Sequence, residues 1–382
     1  MARIMFIFGT RPEAIKLAPL ILAMRDDIRF DVSVCFTGQH RDLACAALQL
    51  FGIVADHALD LMVEGQPLDI LFGRLLAETG AAIDRIAPDQ VIVQGDTASA
   101  LAGALAAHYR QLPVAHVEAG LRSGSLDHPW PEEAHRRMIA TVAGLHFAPT
   151  RRAVQALLDE NVPAARVHLT GNTVIDALEQ MRDRLRGDPS LGARGRDLVA
   201  GAGDRPIVLT TCHRRETLGE PLAGITMALR AIAARGAAHI LMPVHPAPEV
   251  RRIITDRLAD APGIRLVEPL DYASLLHVLD SARLVLTDSG GLQEEAPAMG
   301  VPVLILRETT ERTEAIDAGA AELVGRAPER IIAAAMRHLG QPGGKRAPLY
   351  PFGTAGAARR ISELLAAART RSPEPAYADL PA

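Results

Sequence analysis

The sequence predicts an α/β protein made of two doubly wound domains facing a shared cleft. Three observations point to this. Short apolar runs recur along the whole chain, segments of helical length separate them, and 382 residues at 48% hydrophobic content can fill two cores.

In the first half the runs are Ile4–Phe8, Val32–Phe36, Val91–Val93, Val114–Val117, Leu145–Ala148 and Val167–Leu169, which read as parallel strands buried on both faces. The second half repeats the scheme with Ile207–Leu209, Ile240–Val244, Ile264–Val267, Leu284–Leu286 and Val303–Leu306, with helical segments such as Leu222–Ala234 and Ala247–Leu258 between them. The stretch from Arg182 to Arg205 is rich in charge, Gly and Pro and carries little apolar periodicity, so it reads as a connecting region. The domain border is placed near Thr170-Gly171-Asn172, giving domains over 1–170 and 171–353. The tail Ser372–Ala382, with three prolines, reads as disordered.

Composition excludes several classes of function. A net charge of −4 provides no broad cationic field for a nucleic-acid backbone. Cys35, Cys45 and Cys212 are odd in number, dispersed and without a CxxC pair, which argues against a disulfide framework and a zinc cluster and suits a reducing cytoplasm. The run Ile4–Phe8 is too short for a signal-peptide core, and no segment has the roughly 20 apolar residues of a membrane span. No metal site and no membrane association are expected.

In open α/β sheets ligands bind beyond the carboxyl ends of the strands, so the loops that follow the strands hold the candidate residues. Gly9-Thr10-Arg11-Pro12-Glu13 follows the first strand. Pro12 suits a first helical turn, and free N–H groups would converge there with Arg11 and Lys16 on an anion; the bland alternative is a tight turn with solvated bases. The segment is neither GxGxxG nor a Walker A motif, so a nicotinamide or ATP fold is not indicated. In Thr287-Asp288-Ser289-Gly290-Gly291 two glycines let the backbone approach a phosphate before a helix begins, and Glu295, farther along that helix, suits a ribose. Polar residues 307–312, ending in Arg312, follow the next strand.

Between these loops lie acids at strand ends: Asp96 in Gly95-Asp96-Thr97 and Glu118 in His116-Val117-Glu118. Glu132 follows Pro131 with Arg136 at i,i+4 spacing. Taken singly, Asp96 reads equally as a helix cap and Glu132 as a first-turn dipole partner; three acids on loops of one domain read as a catalytic set. From the second domain, His213 stands with Arg214 and Arg215 after a strand, while His245 is weaker and stays outside the set.

Together these motifs resemble the non-hydrolysing UDP-N-acetylglucosamine 2-epimerases along nearly the whole chain. The most specific parts are Gly9 to Lys16, His116 to Arg122, Pro131-Glu132-Glu133, His213 to Glu216, Asp288 to Pro297 and Thr309 to Arg312. The resemblance implies a glycosyltransferase-B type architecture of two Rossmann-like domains, a C-terminal helix near Thr354–Ala368 crossing back to the first domain, a homodimer, a UDP-sugar substrate and no cofactor. It assigns Arg11, Lys16 and His213 to the substrate, Ser289, Gly290 and Gly291 to the diphosphate, Glu295 to the ribose and Arg312 to the sugar nucleotide. Asp96, Glu118, Glu132 and His213 would be catalytic, with Arg136 supporting Glu132.

The C2 proton of such a sugar is not acidic. Oxidation of a neighbouring carbon would call for the absent nicotinamide fingerprint. Elimination of UDP across C1–C2 calls for a carboxylate base and cationic support of the leaving group, which these residues supply. Which of the three acids removes the proton and which returns it stays open. The alternatives are a hydrolysing relative releasing UDP and N-acetylmannosamine, a related UDP-sugar epimerase, a glycosyltransferase of the same fold and a non-catalytic sensor.

Several positions depart from the family pattern. Ala98 follows Asp96-Thr97, Leu275 stands where an aromatic residue commonly lies against uracil, Cys212 precedes His213, His135 replaces an asparagine and Thr313 a proline. A regulatory second-substrate segment survives as Gln39-His40-Arg41 with Gln66, but Asp42 and Gly65 do not match. Substrate activation is therefore expected to be weak or absent.

Overall fold

The alternation of strand and helix resolves into two parallel sheets in a computed structural model, which describes residues 1–38, 41–61, 63, 65–212, 219–341 and 346–370. The first sheet contains β1 (Ala2–Phe8), β2 (Phe30–Phe36), β3 (His57–Ala58), β4 (Gln90–Gln94), β5 (Val114–Val117), β6 (Leu145–Ala148) and β7 (Val167–Leu169). Its spatial order is β3-β2-β1-β4-β5-β6-β7. The second contains β8 (Ile207–Thr211), β9 (His239–Pro243), β10 (Ile264–Val267), β11 (Ala282–Thr287), β12 (Val303–Ile305) and β13 (Ala321–Leu323), in the order β10-β9-β8-β11-β12-β13.

In each sheet the order reverses at the first strand of its half, β1 or β8. This leaves a crevice at the carboxyl ends of the central strands, and helices cover both faces. The central strands are buried along their whole length: β4 and β5 carry no exposed residue, which is why they read as continuous apolar runs. The two strands the sequence left unassigned, β3 and β13, are short edge strands with half-covered residues, and they lack that signature.

The charged stretch beyond Arg182 is more regular than its composition suggests. Helix Thr173–Gly187 runs into it and helix Ala193–Ala200 follows. Only Gly195 and Leu198 of the second helix are buried, so it has no apolar stripe to read.

The chain passes between the sheets twice. A Cβ on Gly353 would lie 3.0 Å from the Cα of Gly171, and both glycines have positive φ, so the two crossings touch backbone to backbone. Asp176 accepts from the backbone N–H groups of Gly356 and Ala357 (2.7 and 3.1 Å) and so seats the start of helix Ala357–Thr370. That start lies later than Thr354 because Gly353 and Gly356 take positive φ first. The helix packs on Arg11–Arg25 of the first half and buries Ile361 and Leu365. Among the described residues no helix is long and apolar enough to cross a membrane.

Candidate active site

The loops after β1, β4, β5, β8, β9 and β11 enclose a cavity of about 860 Å3 between the two sheets. Asp96, Glu118, Glu132, Arg11, Lys16, Leu275, Ser289, Gly290, Gly291, Glu295 and Arg312 all line it. Arg136 lies behind the wall, Gln66 lies elsewhere, and His213, Gln39 and His40 fall outside the described residues.

The first turn departs from the sequence expectation. Thr10 and Glu13 form a capping box at the start of helix Arg11–Arg25. Glu13 accepts from the N–H groups of Gly9 (3.1 Å) and Thr10 (2.8 Å), so these donors meet the protein's own carboxylate before any ligand anion. Its other oxygen accepts from Thr97 Oγ1 at 2.7 Å, linking this turn to the loop that carries Asp96. Burial lifts the Glu13 carboxyl to about 7 in spite of those donors. An anion at this turn would therefore be met by side chains rather than by these two N–H groups. Arg11 crosses the cleft to donate to the carbonyl of Leu270 at 2.7 Å.

Asp96 is held from the helix Glu132–Val142. Arg136 Nη2 donates to its carboxylate, and His135 Nδ1 bonds its carbonyl at 2.9 Å. The cap of the following helix is Thr97, which accepts from Ala100 N at 3.0 Å, so Asp96 is not spent on capping. Arg136 also pairs with Glu133 at 3.3 Å. Arg136 thus ties the acid that follows β4 to the first turn of the helix that Glu132 begins. Burial disfavours the Arg136 cation, but Asp96, Glu311 and Glu133 outweigh it and keep the group charged. Glu132 begins the same helix and presents itself to the cavity.

Glu118 follows β5 with φ of +61°, a backbone region that costs a non-glycine residue about 1–2 kcal/mol and clusters at functional sites. It sits in a buried cluster drawn from both halves. Lys16 Nζ donates to Glu118 Oε2 and lies 3.3 Å from Glu294. Arg312 Nε donates to Glu294 at 2.5 Å, its Nη2 is 3.5 Å from Glu118, and its Nη1 bonds Glu311. Burial disfavours both cations, yet the facing carboxylates raise their pKa values and keep them charged. Burial raises Glu294. Lys16 and Arg312 reach the cavity edge already paired, so a ligand phosphate would compete with Glu118 and Glu294 for them.

On the opposite wall, helix Gly290–Ala298 starts at the cavity with N-cap Ser289, whose side chain makes no cap bond. Its first N–H groups and its dipole therefore offer an anion site. A Cβ on Gly290 would lie 2.5 Å from the Arg312 guanidinium carbon, so glycine is what permits Arg312 to approach the helix start. Glu295 is buried and accepts from the Tyr272 hydroxyl at 2.8 Å. Burial pushes its carboxyl up to about 7 against that bond. Leu275 lines the cavity from the helix that Tyr272 begins.

Sequence reasoning missed Glu13 and Tyr272, which line the cavity, and Asn172 and Glu294, which hold its residues from behind. It also left out His245, which lines the cavity. Glu13 was detectable from the Thr-x-x-Glu capping pattern. Glu294 stood beside Glu295 with nothing to show which acid faced inward. Among the described residues no group of three or more His, Cys, Asp or Glu is placed to hold a metal ion.

Comparison with known proteins gives a consistent picture. The family described as UDP-N-acetylglucosamine 2-epimerase matches residues 22–366. The UDP-N-acetylglucosamine 2-epimerase of Salmonella typhimurium is 45% identical over 339 residues, 88% of this chain and 90% of that protein. The enzyme of the same name from Yersinia pestis is 43% identical over the same shares. The crystal structure of UDP-GlcNAc 2-epimerase from Neisseria meningitidis bound to UDP-GlcNAc superposes with a TM-score of 0.90 at 37% identity, covering 95% of this chain and 99% of that one. With the two-sheet fold and the acid-lined cavity already in place, these matches show that the chain is an epimerase belonging to the UDP-N-acetylglucosamine 2-epimerase family.

Proposed function

We propose that this protein interconverts UDP-N-acetylglucosamine and UDP-N-acetylmannosamine by anti elimination and re-addition of UDP, without a cofactor. The observation that carries this is the placement of Asp96, Glu118 and Glu132 in the same cavity as a glycine-marked helix start and the cations Arg11, Lys16 and Arg312.

One carboxylate removes the C2 proton while the C1–O bond breaks, giving 2-acetamidoglucal and UDP. The glycine-marked helix start and the cationic side chains take the charge that develops on the leaving diphosphate. UDP then adds back at C1 as an acid delivers a proton to the opposite face of C2. The backbone at Ser289, Gly290 and Gly291 holds the diphosphate and Glu295 the ribose. Leu275 supplies aliphatic contact to the base, and His213 joins the catalytic acids. The unit over 1–170, with the C-terminal helix, carries the acids, and that over 171–353 carries the nucleotide. Enclosure between them shields the glucal from water. We place the enzyme in the cytoplasm as a homodimer, a reading supported by its mild charge, its unpaired Cys35 and Cys212 and the family resemblance.

Incubating the purified protein with UDP-N-acetylglucosamine and no added cofactor, with NMR of the products, tests the proposal. UDP-N-acetylmannosamine at equilibrium with substrate is the expected result; free N-acetylmannosamine with stoichiometric UDP would instead mark a hydrolysing enzyme.

A further inference from the structure

We infer that Asn172 is a positioning residue whose side-chain amide fixes the Glu118 carboxylate in the cavity by bridging it to Glu294 of the second half. The inference rests on the reading of Glu118 as one of the carboxylates that exchange the C2 proton.

Asn172 lies where the chain first passes between the sheets and is buried. Its Oδ1 accepts from Val174 N at 3.1 Å and caps helix Thr173–Gly187. That bond settles the orientation of the amide, so Nδ2 must face the acids. It donates one N–H to Glu118 Oε2 at 2.8 Å and the other to Glu294 Oε2 at 2.9 Å. Its backbone N–H donates to Phe352 O at 2.9 Å, tying it to the second crossing.

Helix capping alone does not account for asparagine at this position, because aspartate caps equally well. What distinguishes the two is the pair of amide donors, and both are spent on carboxylates. Two acids this close in a buried site repel, and a neutral two-donor group between them relieves that repulsion without adding a charge. Among the described residues, the other charged groups paired with Glu118 are Lys16 from helix Arg11–Arg25 and Arg312 from the second half, the latter shared with Glu294 and Glu311. Glu118 is thus oriented by groups from its own half, from the crossing and from the opposite half. Its catalytic position is completed when the halves meet as they do here.

Asn172→Asp is isosteric, keeps the helix cap and replaces the bridge with a third carboxylate. The expected result is a kcat lowered roughly tenfold or more at pH 7, an acid limb of the kcat profile moved upward by about one pH unit, and a KM within about threefold of the parent. Combining Asn172→Asp with Glu294→Gln restores both the charge and a donor amide, and is expected to return the acid limb to its original place. An unchanged kcat profile in the folded Asn172→Asp protein, or a loss confined to KM, overturns the inference. If the added charge prevents folding, Asn172→Ser, which keeps a cap acceptor but not the two-donor amide, carries the test: lowered kcat at unchanged KM supports it and unchanged kcat overturns it. Glu118→Gln, measured alongside, separates the two levels. Full activity there refutes the role of Glu118 itself, whereas loss there with an unmoved Asn172→Asp profile refutes only the positioning.

Discussion

The Tyr272 hydroxyl donates to Glu295 at 2.8 Å, and both groups are buried in the cavity wall formed by the second half. The bond favours the ionised form of a carboxyl that burial has already pushed up to about 7. Tyr272→Phe leaves Glu295 holding its proton to higher pH and so a poorer acceptor for ribose hydroxyls. UDP affinity measured by calorimetry is expected to fall roughly 3- to 10-fold at pH 7, with the deficit shrinking as the pH rises toward 9. A deficit that does not vary with pH would contradict this.

Glu13 gives a stability prediction of definite sign. Its carboxyl is raised to about 7 by burial, against about 4.3 in an unfolded chain, so between those values the folded protein binds the extra proton. The stabilising contribution of this group is complete below about pH 4 and is lost as pH rises through 7. Glu295, raised likewise, adds to the same trend. Thermal unfolding of Glu13→Gln from pH 5 to 8 should show a shallower decline of Tm with pH than the parent, because the amide does not titrate.

Gly290 is where a methyl group would reach the guanidinium of Arg312, which Glu294 and Glu311 hold in place. Gly290→Ala is expected to displace Arg312 from the helix start and lower kcat/KM by roughly 100-fold, at a stability cost of about 1–3 kcal/mol from overpacking. Steady-state kinetics beside urea unfolding would distinguish this from simple loss of fold.

The forward-rate curve against substrate is expected to be hyperbolic. Asp42 and Gly65 break the regulatory pattern around Gln39, His40 and Gln66, and the Gln66 amide is engaged within its own chain, accepting from Arg74 Nη1 at 3.2 Å. A sigmoidal curve would count against this.

Much of the fold was legible because buried parallel strands leave continuous apolar runs. Val114–Val117, Leu145–Ala148, Val167–Leu169 and Ile264–Val267 coincide with observed strands to the residue. The edge strands His57–Ala58 and Ala321–Leu323 lack that signal, and the arginine-rich outer face of helix Ala193–Ala200 conceals it. The cavity's front rank was legible because its residues sit at strand ends. The rank behind was not. The Thr-x-x-Glu spacing does announce Glu13 at its own turn, but nothing in the spacing shows that Arg136 would reach Asp96 or that Asn172 would meet Glu118 and Glu294. These contacts join residues up to 122 positions apart.

The central claim is that C2 is inverted through loss and return of its proton, and hydrogen exchange from solvent tests it most directly. UDP-N-acetylglucosamine turned over in D2O should give UDP-N-acetylmannosamine carrying deuterium at C2 in the NMR spectrum, with 2-acetamidoglucal and UDP detectable in small amount. An epimerised product that keeps its original hydrogen at C2 would contradict the account.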